Sequence, residues 1–147
     1  DVDASLLQLP MVGFVAYDDE RMLGTVERIR TELTDSSGLL HRYRNLPQLT
    51  DLDDAEAFAS SIGQDGFAGQ SAPSISATLQ LAEQLAMCGH TEEAVRVTDL
   101  VLSTANDLGL LASTYSPSQH RATGNFPQAE AHLHLIRVID ILQAELG

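Results

Sequence analysis

The chain has 147 residues, 44% of them hydrophobic, and a net charge of −13 at neutral pH. That length suffices for one core of ordinary domain size, and the composition is too hydrophobic for a disordered segment. All basic residues are arginine, and so acidic a chain offers no basic stripe for a phosphate backbone, which argues against nucleic-acid binding.

No apolar run approaches the ~18 residues of a membrane span. The opening DVDASLLQLP carries no basic region of a signal peptide. The expectation is therefore a cytoplasmic protein without a membrane partner. The missing initiator Met fits a processed product or an internal piece of a longer protein. Cys88 is the one cysteine, which excludes an internal disulfide and a thiolate zinc cluster. Set among Leu85, Ala86 and Met87, it is expected as a buried small hydrophobe.

In chain order, ASLLQLPMV predicts a short apolar helix interrupted near Pro10. In DDERMLGTVERIRTELT, Met22, Leu23, Val26, Ile29 and Leu33 recur at helical spacing, with Asp18 or Asp19 as cap and Ser36-Ser37-Gly38 as the stop. LLHRYRN reads as extended. Residues 45–74 form a long irregular loop region rich in Pro, Gly and Asp, with one short helix at DDAEAFASSI; such loops are functional or disordered.

From Ile75 the pattern is regular. ISATLQLAEQLAMCG predicts a helix with one apolar face, ending at Gly89. Thr91 is the expected cap of the next helix, which runs to about Asn106. DLGLLASTYSPSQHRATGNFPQ follows as a polar connection. The last helix is expected from Asn125, with Asn125 and Gln128 spaced as a capping box and Pro127 in the first turn. Its apolar residues cover more than one face, so it is expected to be mostly buried.

The fold class is all-α, built of antiparallel helix pairs with short links at one end and long links at the other. That asymmetry suits an α/α barrel or a helical repeat array. GHTEEAVRVTDLVL carries the Gly and Ala spacing of a tetratricopeptide-like pair, so a helical-repeat protein-binding module is the alternative reading, although no 34-residue period recurs.

Candidate residues have two readings each. Tyr115 either stacks on a sugar or packs its loop. Asn125 and Gln128 either line a pocket or cap a helix. Arg42 and Arg44 flank Tyr43 and either reach a ligand or sit on the surface. His132 and His134 face different sides of a helix and cannot form an i, i+4 metal pair, so no metal site is expected. No glycine-rich phosphate loop or dinucleotide fingerprint occurs.

DASLLQLPMVGF at 3–14, GTVERIRTELT at 24–34, LAEQLAMCGHTEEA at 81–94, ANDLGLLAS at 105–113 and GNFPQAEAH at 124–132 resemble, in order, the C-terminal part of family-15 glycoside hydrolases. These are the inverting glucoamylase- and trehalase-type enzymes. GNFPQA after NDLGLL is the most specific combination. The resemblance implies that 1–147 is a single, C-terminal, partial catalytic domain, part of an (α/α)6 barrel, or six-hairpin toroid. It implies an α-linked glucoside or oligosaccharide as substrate, of the trehalose or α-1,4-glucan type, and no cofactor.

Inversion needs a carboxylic acid to protonate the leaving oxygen and a carboxylate to activate water. The family's base lies in a run like Leu-Leu-Ala-Glu-Glu-Tyr-Asp-Pro; this chain reads LLASTYSP, with Ser113 at the base position and Thr114 and Ser116 for the next acids. Where the family has Phe-Ser-His, this chain has Glu130, Ala131 and His132. A serine hydroxyl is a poor base at neutral pH. The expectation is an incomplete or inactive copy, with Glu130 the weak substitute for the base, Tyr115, Asn125, Gln128 and Arg44 toward substrate, and the general acid outside the sequence. An incomplete barrel is also expected to associate with its missing part or with itself.

Overall fold

The computed structural model describes residues 2–44 and 72–146. The helix expected at DDAEAFASSI lies outside them, as does most of the expected loop region.

The apolar start is a 3-10 helix, Ala4–Gln8, capped by the Asp3 carboxylate, which accepts from the Ser5 amide at 2.8 Å. Helix α1 spans Glu20–Leu33, capped by Asp19. Its buried positions, Met22, Val26, Ile29 and Leu33, are the stripe read from the sequence. The chain turns at Asp35–Gly38, where Gly38 takes a φ of +87° that any side chain would strain. It then runs back extended: Leu40 bridges Thr34, and Tyr43 bridges Asp3. The extended reading of LLHRYRN holds at those positions.

Helix α2, Ile75–Met87, is capped by Ser74, whose Oγ accepts from the Ala77 amide at 3.2 Å. The one-faced pattern expected for it is corrected: every residue from Ile75 to Ala86 is buried, polar ones included. It is the central helix, packed by α3, by α4 and by the first 3-10 turn. Gly89, at φ +78°, ends it as expected. Helix α3 spans Thr91–Leu102 and stops short of the expected Asn106. Its cap position is His90 rather than Thr91, and no side chain bonds there.

The expected polar connection contains a small antiparallel hairpin. Strands β1, Thr114–Ser116, and β2, Arg121–Thr123, pair Thr114 with Thr123, Tyr115 with Ala122 and Ser116 with Arg121. A 3-10 turn, Pro117–Gln119, makes the tip. Helix α4 spans Ala129–Leu146, so its start is corrected from Asn125. The backbone of 125–128 is engaged elsewhere: Ser113 donates to Asn125 O and Gln128 donates to Leu111 O, each at 2.9 Å. Pro127 therefore precedes the helix.

Helix directions follow from the contacts. Gln80 meets His134 and Glu83 meets Arg137, both pairs 54 residues apart, so α2 and α4 run parallel in constant register. Tyr17, just before α1, reaches Glu83 and Gln84 near the end of α2, whereas Leu40, after α1, reaches Thr78 and Ser74 near its start. Helices α1 and α3 thus oppose the parallel pair. The main core joins α1, α2 and α4 through Ile29, Leu33, Ala82, Leu85 and Val138, and a second cluster around Leu79, Val101 and Leu111 lies under the hairpin.

The expectation that α4 is mostly buried is also corrected. Ala131, Val138 and Leu142 pack inward, but Leu133 and Ile136 are 67% and 57% exposed. The main neighbours of α4 among the helices are α2 and α3.

Candidate active site

The N-terminal ends of the parallel helices α2 and α4 lie together, and a layer of extended segments closes over them. Ser74 bridges Thr114, its amide donates to Leu40 O at 2.8 Å, and Tyr115 donates to Pro73 O at 3.1 Å. Ser113 is at the junction. Its carbonyl accepts from the Ile75 amide at 3.0 Å, at the first residue of α2, while its amide reaches Asn125 just ahead of α4.

The Ser113 hydroxyl accepts from the Asn125 amide at 2.9 Å. Gly124 passes directly beneath, at φ +72°; a Cβ there would fall 2.2 Å from Ser113 Oγ and 2.9 Å from Thr114 Oγ1. Thr114 and Thr123 share a hydroxyl hydrogen bond of 2.9 Å across the hairpin. The half-buried position at 113 is thus lined by hydroxyls and backbone.

His132 ties the first turn of α4 to the same layer. Its Nε2 accepts from the Leu111 amide at 3.2 Å, which leaves Nδ1 to donate to Gln128 O at 2.7 Å. The two contacts together require the neutral Nδ1–H tautomer. Ala131 beside it is fully buried.

The candidate residues do not converge on one point. Asn125 and Gln128 both lie at the Ser113 junction, but through their backbones. The expected capping box is replaced: Gln128 O accepts from the His132 amide and Asn125 sits in the loop. Tyr115 is in β1 and packs, half-buried, against the second cluster. The Arg44 guanidinium is bound to Glu32 near the end of α1, and Glu32 also takes Arg28 at 2.7 Å. Those arginines, Arg28 foremost, hold the Glu32 carboxyl below its ordinary range. Arg42 stacks on the Tyr43 ring at 5.2 Å. Glu130 lies 3.8 Å from His134 Nε2, one turn on. Its side chain is 54% exposed, whereas the His132 ring bonds the Leu111 amide and Gln128 O.

The sequence reading missed a second polar cluster at the other end of α2. Glu83, almost wholly buried, accepts from Arg137 Nε at 2.8 Å and from the Tyr17 hydroxyl. Burial, and then the Glu83 carboxylate, push the Tyr17 phenol above its ordinary value. Gln84 donates to Tyr17 O at 2.8 Å and to Cys88 Sγ at 3.3 Å. Cys88 is half-buried rather than buried, donates to Tyr17 O at 3.3 Å, and has its thiol pKa raised by burial. An acid and two amides inside LQLAEQLAM were the available signal. No group of three or more His, Cys, Asp or Glu among the described residues could hold a metal ion, and no described helix is long and apolar enough to cross a membrane.

Comparison with known proteins adds relatives to this geometry. The chain is 34% identical over 146 residues to a trehalase of Thermoplasma volcanium, 99% of this chain but 20% of that protein. It is 35% identical over 145 residues to a trehalase of Mycolicibacterium smegmatis, 98% of this chain and 19% of that protein. A trehalase of Mycobacterium tuberculosis matches at 34% over 145 residues, again 98% of this chain and 19% of the relative. Over nearly its whole length the chain is similar to trehalases. It spans about one fifth of the length of these relatives. No family model matches it, and no solved structure matches it significantly. Relatives bearing trehalase names support a glycoside-hydrolase-like function and do not support the helical-repeat module.

Proposed function

We propose that this chain is the C-terminal part of the catalytic domain of a trehalase-like glycoside hydrolase, and that it lacks the catalytic base. The similarity to trehalases over 99% of the chain carries the reading. In it, α2 and α4 are two parallel inner helices of an (α/α)6 barrel, α1 and α3 are outer helices, and the layer over the helix N-termini is the floor of the sugar site. The exposed Leu133 and Ile136 of α4 then face the rest of the barrel.

An inverting hydrolase sets its two carboxyl groups ~6.5–9.5 Å apart, with water between the base and the sugar. Ser113 occupies the base position, and its oxygen already receives the Asn125 amide. A hydroxyl has no basic site comparable to a carboxylate, so it cannot draw a proton from water at neutral pH. In this reading Glu130, whose carboxylate neighbours His134, does not replace it. The substrate class is an α-linked glucoside of the trehalose or α-1,4-glucan type, and the chain alone binds it without turnover.

The test is glucose release from trehalose and from maltose by the purified chain, alongside amide chemical shifts on titration with each sugar. The expected result is no glucose, with trehalose shifting amides in 111–128. Robust turnover that disappears in Glu130→Ala would overturn the reading of Ser113. Absence of any shift with either sugar would overturn the assignment of the sugar site.

A further inference from the structure

We draw no further inference here: the strongest candidate, the groove between α1 and α3 floored by Leu81 and Leu85 of α2 and rimmed by the Arg30–Glu93 pair, carries none, because nothing in the structure shows what covers it.

Discussion

Removing Arg137 should harm this protein more than removing the charge of its partner Glu83. The Glu83 side chain is 4% exposed and that of Arg137 is 46% exposed, joined by a 2.8 Å bond, with the Tyr17 hydroxyl as the second donor to Glu83. In Arg137→Met the carboxylate stays buried with one neutral donor. Losing one partner of a buried pair costs about 3–5 kcal/mol, and the half-exposure of Arg137 places this case near ~3 kcal/mol. In Glu83→Gln an oxygen remains for Tyr17, and the freed guanidinium reaches water, so the loss is that of one charge-assisted hydrogen bond, about 1.5 kcal/mol. The double variant should cost less than the sum, because no buried charge is left unpaired. The chain has no Trp, so urea unfolding is best followed by circular dichroism at the helix band. At this size ~3 kcal/mol is a fall in Tm of about 6–12 °C. If Arg137→Met costs no more than Glu83→Gln, the pair behaves as a surface salt bridge and the argument from burial is refuted.

Gly124→Ala should cost about 2–4 kcal/mol, from the left-handed backbone and from the contact with Ser113 Oγ; denaturant unfolding of Gly124→Ala, Ser113→Ala and the double variant should show the double well below the sum, since Ser113→Ala removes the colliding atom. Ser113→Glu should keep the helical fold, because the amide and carbonyl of residue 113 hold the junction, while giving up the Asn125 bond to Oγ at a cost of about 1 kcal/mol; a loss of helical signal would contradict that. The Asp19 carboxyl, bonded first of all to the Arg21 side chain, is held at about 2 against 3.8. A depressed carboxyl pKa stabilises above the unfolded value and ceases to do so as pH falls through the folded one. The advantage of native chain over Asp19→Asn in urea midpoint should therefore be full above about pH 4 and vanish toward pH 2; an advantage independent of pH would show that the charge plays no part.

The sequence was legible where the structure is local. Helix α1 follows from the spacing of Met22, Val26, Ile29 and Leu33 and from Asp19, all within reach of one another along the chain. The stop at Gly89 is equally local. The all-round burial of α2 was not legible, because Gln80, Glu83 and Gln84 look like a solvated face until their partners arrive from Tyr17, His134 and Arg137, more than 50 residues away. The extended layer was hidden for the same reason: Leu40, Ser74 and Thr114 meet through backbone bonds that leave no hydrophobic alternation in short polar strands. The start of α4 was misread because capping-box spacing at Asn125 and Gln128 competes with long-range bonds to Ser113 and Leu111, and the latter prevail. Ser113 was singled out by resemblance; its engagement with Asn125 and Gly124 needed coordinates.

Those bonds explain how the junction holds its shape through the backbone of residue 113. Residue 113 is anchored through its own amide and carbonyl, to Asn125 and to Ile75, and its side chain adds an acceptor for the Asn125 amide in a space kept small by the close pass of Gly124. His132 is the opposite case, since its ring nitrogens themselves join Leu111 to Gln128, so exchanging the side chain dissolves the link. Substitution at 132 therefore breaks a link between two segments, whereas substitution at 113 leaves the backbone bonds of the junction in place.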